Sequence, residues 1–376
     1  MLASALLSAD GEFDALQAEW DGLVDSSDQA VFFLRWHWNR TWWRMYAPAN
    51  SRLCLITCRD EQRRLVGLAP LYLRTQVHYD LVPVRQITFL GTGTDLKTSE
   101  YLDIIAARGY ERPVAETIAH AIRARRDWDR LWLWCVPSAS VTLPLLGGAL
   151  GPAARITHLE ESRVVDTSSD WASTRAGFSQ NIDRVIRHVF KVPGMQFSTV
   201  EHAAELEPAL DDLVRLHQAR WTSRGEPGSF VLPGFAEFLR ETARQAFAEG
   251  RLRLWRLRAN GVAVAALIGF HDRGTTHYLQ SGIDPSPAYK AYSLGRAIIG
   301  LAIKHSVGEP GTRKFDFMGG LAPYKKSWTP HVIETSELEM FRPTLRAGLF
   351  QIARRSRGAL SRARRAYRNR TLAGPR

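Results

Sequence analysis

Apolar and polar positions follow changing rhythms along the chain, and the changes mark its elements. Phe32, Trp36, Trp38, Trp42, Trp43 and Tyr46 crowd one segment and predict a helix over Phe32–Tyr46. Arg52–Cys58 and Leu65–Leu73 read as two strands of a hairpin around the charged turn Arg59–Arg64. Apolar runs at Gln86–Leu90 and Tyr101–Ala106, a helix over Glu111–Arg125 and a strand over Asp129–Val136 complete a first block. In that last strand Leu131, Leu133 and Cys135 point to one face and Trp132 and Trp134 to the other. Both faces are apolar, which predicts a central strand. The stretch Pro137–Pro152, with its prolines and glycines, predicts a break in regular structure and a domain boundary near residue 160.

A second block opens with Val164 and Val165, a basic helix over Ser173–Phe190 and a strand over Met195–Val200. Helices are predicted over Glu205–Arg224 and Gly234–Ala248, with the turn-rich segment Gly225–Gly234 between them. Three strands follow, Leu252–Arg258, Val262–His271 and Thr275–Ile283, joined by the turns Ala259-Asn260-Gly261 and Asp272-Arg273-Gly274, and predict an antiparallel meander. Leu294, Ala297, Ile298, Leu301 and Ala302 recur at the spacing of one buried face in a helix over Ser293–His305. A short strand at Lys314–Phe317, a short helix at Pro323–Trp328 and a strand at Thr335–Phe341 end the block.

With 376 residues, 45% of them apolar and 23% charged, the chain is long enough for two domains with real cores; a disordered polymer or a disulfide scaffold is excluded. The net charge of +12 is concentrated: Pro343–Arg376 holds ten Arg and no Lys, Asp or Glu, which leaves +2 for the first 342 residues. No window reaches the roughly 18 consecutive apolar residues that span a bilayer, and Met1–Asp10 lacks a basic flank, so residence in the cytoplasm is expected. Cys54, Cys58 and Cys135 are too few for a framework and read as small buried hydrophobes. The eleven histidines never form HExxH, so no metal is expected. Gly91-Thr92-Gly93 lacks the third glycine of a dinucleotide loop, Leu96 standing in its place.

Meander, helix, strand, helix, strand is the element order of the acyl-CoA-binding half of the GNAT fold. The strings Leu213–Gly228 (LVRLHQARWTSRGEPG), Tyr278–Ser293 (YLQSGIDPSPAYKAYS) with Gly295, and Phe315–Trp328 (FDFMGGLAPYKKSW) resemble the BioF2-like, CelD-type GNAT acetyltransferases. Phe33–Trp43, Leu65–Leu73 and Tyr101–Ala106 extend the resemblance into the first block. That family is similar to the FemAB aminoacyl transferases. The resemblance implies an α/β (α+β) fold of two tandem GNAT-like domains with mixed, mostly antiparallel sheets flanked by helices. They would occupy residues 1–160 and 161–342, with a basic tail over 343–376.

It also implies a site. Tyr292, Ser293, Leu294, Gly295 and Arg296 fall where such enzymes grip the diphosphate of acetyl-CoA; a helix start offers free N–H groups there, Ser293 can cap it, and Gly295 allows close approach. Tyr324 falls where GNAT enzymes place the acid that protonates the departing thiolate. Asp316 points away from Phe315 and Phe317 and is a candidate for deprotonating an amine, or a carboxylate that anchors a loop. His277 and Gln280 lie on the strand beside the acceptor; strand alternation puts them on opposite faces. His217, Arg220, Trp221 and Arg224 share one helix face, which suits an anionic acceptor or ordinary packing. Lys325 and Lys326 offer charges for a phosphate or for solvent, and Asp103 either faces the cleft or caps a strand.

The expected reaction is transfer of an acyl group, most simply acetyl, from CoA to an amine or hydroxyl of a small sugar-like or lipid-linked acceptor in envelope polysaccharide synthesis. An aminoacyl-tRNA-dependent transfer and a non-catalytic scaffold are the other readings. In the tail, Leu345, Leu349, Ile352, Leu360, Ala363 and Tyr367 trace an apolar stripe among arginines; this suits an anionic membrane surface, with nucleic acid as the competing partner.

Overall fold

The structure is a computed structural model that describes residues 2–29, 31–78, 82–93, 99–320 and 322–356. An exposed edge strand, β1 (Ala3–Leu7), precedes helices α1 (Asp10–Ala15) and α2 (Gln17–Ser26). The aromatic segment is divided: a 3₁₀ turn at Phe32–Leu34 and helix α3 (Trp36–Tyr46) flank Arg35, whose backbone is extended. The single helix expected over Phe32–Tyr46 is interrupted there, and the Arg35 guanidinium is drawn onto Asp272. Then come β2 (Ser51–Arg59), β3 (Leu65–His78), β4 (Val82–Phe89), β5 (Ile105–Ala106), α4 (Glu111–Ala124) and β6 (Arg130–Pro137). The expected break at Pro137–Pro152 contains helix α5 (Thr142–Leu150): Pro144 sits in its first turn, where no N–H is needed, and Leu143, Leu146 and Leu150 bury one face.

Strand β7 (Arg155–Asp166) runs through the boundary expected near 160. The basic helix expected over Ser173–Phe190 is two helices, α6 (Trp171–Ala176) and α7 (Ile182–Val189), with separate caps from Asp170 and Asn181. After them come β8 (Met195–Thr199), α8 (Ala203–Thr222), α9 (Phe235–Ala248), β9 (Leu252–Ala259), β10 (Val262–Asp272), β11 (Thr275–Ile283), α10 (Leu294–Gly308), β12 (Lys314–Asp316) and β13 (Val332–Phe341). A last helix, α11, covers residues 345–356. The meander turns are as expected: Asn260-Gly261 and Arg273-Gly274 both take positive φ, as the tightest hairpin turns require. The strand expected at Tyr101–Ala106 shrinks to two residues. Tyr101 has φ +57, and the Asp103 carboxylate bonds the Ile104 amide and the Thr142 hydroxyl in place of a ladder.

The strands form one mixed sheet in the order β1-β2-β3-β4-β6-β13-β7-β12-β11-β10-β9-β8, with β5 beside β3. The last strand, β13, inserts between β6 and β7, so the second block supplies a strand to the first block's half of the sheet. Central β6 has partners on both edges, β4 and β13, as its two apolar faces imply. One core cluster spans both blocks; Phe32 stacks on Phe270 at 4.2 Å and Trp38 meets Phe238 edge-on. A second lies between the meander and helices α7 and α10. The blocks are further joined by a buried ion pair: Arg35 holds Asp272 with two hydrogen bonds of 2.7 and 2.9 Å, and Arg251 donates to the same carboxylate.

Candidate active site

Two irregularities of the sheet make the site. Strands β10 and β11 pair in register except that Ile268 faces Gln280 while Gly269 faces Tyr278, so Leu279 is an extra residue, a bulge. On its other edge β11 pairs with β12 in parallel only as far as His277 opposite Asp316. There β12 ends, β11 continues to Ile283, and the strands part. The loop after β12 turns away through Met318 at φ +59 and Gly320 at φ +93. Positive φ at a bulky residue such as Met318 is backbone strain of the kind found at binding sites.

A cavity of about 290 Å³ occupies the gap, lined by Glu100, Tyr278, Leu279, Gln280, Tyr324, Lys325 and the loop 317–320. Tyr324 is 41% exposed. Its hydroxyl end is desolvated beside Tyr278, and both effects push its pKa up, so it keeps its proton at neutral pH. Glu100, from the first block, accepts a hydrogen bond from the Gly319 amide, and a side chain at position 319 would push its carboxylate aside. Sequence reading missed Glu100. It stands beside Tyr101, and only the approach of the first block to the 317–320 loop makes it part of the wall.

A second cavity, of about 450 Å³, lies against the start of α10 and is lined by Ile283, Lys290, Ser293, Leu294, Gly295 and Arg296. Helix geometry leaves the first amides of α10 without intrahelical partners, and the Ser293 carbonyl takes the amides of Arg296 and Ala297. Ser293 does not cap with its side chain: its backbone is left-handed, φ +51, which carries the hydroxyl away from the helix axis. Tyr292 stacks on His188 at 5.0 Å and stays outside the lining, whereas Lys290 belongs to it. The two cavities follow one another along β11, Gln280 bordering the first and Ile283 the second, about 10 Å apart by the rise of a strand.

Several expected site residues are structural. Asp316 is fully buried and accepts hydrogen bonds from the Tyr101 and Ser162 hydroxyls and the Met318 amide; it anchors the loop and does not line the cavity. His277 is buried behind the wall against Phe33 and Tyr101, with Nδ1 3.8 Å from Asp316. Of His277 and Gln280 only the latter faces the cavity, in keeping with the expected opposite faces, although the bulge at Leu279 interrupts strict alternation between them. Gln280 lines the cavity and donates to the Ser229 hydroxyl.

His217 is a clamp: Nδ1 lies 3.0 Å from the Ser281 carbonyl, and Nε2 accepts from the Ser229 amide, which fixes the neutral Nδ1–H tautomer. The close approach of α8 to β11 there requires Gly282, where a Cβ would meet the His217 amide nitrogen at 2.3 Å. Arg220 stays near the site, since its charge acts on both Tyr278 and Tyr324. Trp221 packs beside His217, and Arg224 lies exposed beyond the end of α8, so the shared helix face breaks up. Lys325 is buried; its ammonium donates to the carbonyls of Phe317, Met318 and Gly319 and holds the loop, where a solvent-facing or phosphate-holding charge was expected. Asp103 is buried beneath α5, and burial pushes it up to about 6.

Burial holds five histidines, His37, His217, His271, His277 and His305, below their ordinary value of 6.5. Below about pH 6.5 the unfolded chain therefore binds protons that the folded chain refuses, and stability falls as pH drops towards the folded values. Asp103 and Asp21, both raised, act in the opposite sense at lower pH, the Asp103 window lying between 3.8 and about 6. Urea unfolding should show a lower midpoint at about pH 5.5 than at about pH 7.5, and His277→Gln should make the decline shallower.

The bulged strand, the parallel neighbours that part and the helix start farther along the same strand lie on a GNAT-like fold of mixed α/β class with a large sheet flanked by helices. Residues 176–326 match the family model described as acetyltransferase (GNAT) domain. No curated protein matches it in sequence. Among solved structures, FemX is 11% identical with a TM-score of 0.63, the match covering 93% of this chain and 99% of that one. The C-terminal domain of a candidate lysylphosphatidylglycerol synthetase from Agrobacterium fabrum is also 11% identical, with a TM-score of 0.55 and coverage of 92% and 96%. L-PGS from Bacillus licheniformis is 12% identical, with a TM-score of 0.54 and coverage of 90% and 96%. The likeness to these structures is one of fold.

Proposed function

We propose that the chain transfers an acyl group, most simply acetyl, from CoA to an amine of a small acceptor entering beside Glu100. The observation that carries this reading is the pair of cavities in line along β11, one at the parted strands and one at the start of α10. A diphosphate suits the second: free helix amides, the positive end of the helix dipole, Lys290 and Arg296 all favour an anion. An extended pantetheine arm laid along β11 then reaches the first cavity with its thioester.

There the bulge takes Leu279 out of the ladder register, and its amide is the donor that would polarise the acyl carbonyl. Glu100 attracts a protonated amine and takes its proton; the free amine attacks the carbonyl, the C–S bond breaks as Tyr324 gives its proton to the departing sulfur, and the second proton shed by the new amide nitrogen returns to Tyr324, leaving amide, CoA thiol and one proton that Glu100 passes to solvent. Arg220 supports the tyrosine by stabilising its anionic form. Amines are favoured over hydroxyls because the acidic side chain on the cavity wall complements a cation.

Calorimetric titration with CoA and acetyl-CoA tests the reading. Micromolar binding is expected, and Lys290→Glu with Arg296→Glu should weaken it about tenfold or more, since each removes a charge-assisted contact and adds repulsion. A sugar-like or lipid-linked amine is the acceptor class to be screened, by mass spectrometry of extracts incubated with acetyl-CoA. The likeness to FemX favours a second reading, aminoacyl transfer from charged tRNA. Binding of aminoacyl-tRNA with no heat from CoA would replace the first reading by the second, and neither binding would leave a scaffold.

A further inference from the structure

Helix α11 packs on the sheet by one face only. Ala347 and Phe350 are buried, Phe350 against Phe341, Val82 and Val84, and Arg354 is tied to Glu339 while lying over the Phe341 and Phe350 rings. The opposite face carries Leu345, Leu349 and Ile352, which are 80%, 47% and 63% exposed. These positions, i, i+4 and i+7, form one stripe along the helix. At about 3.6 residues per turn, Arg346 falls roughly a quarter turn to one side of the stripe and Arg355 roughly a quarter turn to the other. Both are exposed.

We propose that this outer face docks the protein onto an anionic phospholipid surface. Three exposed aliphatic side chains in a row suit the acyl boundary, and arginines on both flanks lie at the level where long cationic side chains reach phosphates. Charge complementarity selects the occupant: residues 343–376 carry ten Arg and no acidic residue, so an anionic leaflet attracts the whole segment, whereas a second copy of the same face is repelled. Nucleic acid would use the arginines but has no use for the aliphatic stripe. The anchor is peripheral, and among the described residues no helix is long and apolar enough to cross a membrane. The inference is independent of the acyl-transfer reading, because none of its residues lines either cavity and no activity needs to be measured.

The test is co-sedimentation of the full chain with vesicles of phosphatidylcholine alone and of phosphatidylcholine with phosphatidylglycerol. Binding is expected to the second kind only, to weaken as salt is raised, and to fall about tenfold or more in the double variant Leu349→Glu/Ile352→Glu, which removes buried aliphatic groups and adds like charge to the lipid. Both side chains are exposed, so the variant should melt as the parent does, and an unchanged melting curve separates lost docking from lost fold. Binding that ignores the double variant would assign the effect to the arginines alone and overturn the docking face. No binding to anionic vesicles, equal binding to both kinds, or a shift to dimer in light scattering that the double variant abolishes would overturn it as well.

Discussion

Tyr324→Phe should lower the rate of acyl transfer by about 10²- to 10³-fold while CoA binds as before, because the phenol supplies the proton that a thiolate needs on leaving and contributes little to holding the cofactor end. The geometry behind this is specific. Tyr324 reaches the gap from the turn Pro323–Ser327 after the 317–320 loop, and that loop is fixed on three sides, by Asp316 at the Met318 amide, by Glu100 at the Gly319 amide and by Lys325 at the three carbonyls. Phenylalanine keeps the ring contact with Phe317 and removes only the hydroxyl. The substitution should therefore leave the unfolding midpoint and the calorimetric affinity for CoA in place. The check is the rate of thiol release at saturating acetyl-CoA for parent and variant. Equal rates would remove Tyr324 from the chemistry.

Asp272→Ala should be the most damaging single change to stability, by about 3–5 kcal/mol in urea unfolding, out of the roughly 5–15 kcal/mol that a folded protein possesses. Asp272 is fully buried in the turn between β10 and β11 and receives Arg35 from the first block and Arg251 from its own. Removing it leaves the Arg35 guanidinium, whose side chain is 2% exposed, with the half-exposed Asp25 as its ion-pair partner and Asp21 nearby. A buried cation without its partner costs far more than the intact pair contributes. For that reason the double variant Arg35→Met/Asp272→Leu should be less destabilised than Asp272→Ala alone. The opposite order would mean that the pair is a net source of stability. Because the ion pair joins the blocks at the base of β11, Asp272→Ala should also loosen the site.

Much of the site was legible in the sequence as addresses along the chain. The meander, the helix after it and the tyrosine following a short strand are local features, set by alternation, turn chemistry and helical spacing. Tyr324, Leu294, Gly295, Arg296 and Gln280 were named through the resemblance to GNAT enzymes that this element order carries, and all line one of the two cavities. Asp316, His277, His217 and Lys325 were also named, each with a reactive reading beside a structural or solvent-facing one, and for Asp316 the loop-anchoring reading is the one that holds. The structure spends each of them on internal hydrogen bonds or packing that strings of residues do not reveal. Glu100 and Lys290 were missed because their side chains matter only through neighbours distant in sequence or brought round by a turn.

By itself the sequence determined the element types, the tight turns with Asn260-Gly261 and Arg273-Gly274, the two-faced burial of β6 and the gathering of charge in the last 34 residues, because each depends on near neighbours or on counts. Tertiary structure alone decided that β13 inserts between β6 and β7, that a bulge at Leu279 interrupts the alternation on β11, and that Arg35 breaks a helix to meet Asp272. Strand order, register and ion pairing between blocks arise from the free energy of long-range burial. That energy acts between segments hundreds of residues apart and leaves no periodicity in either one.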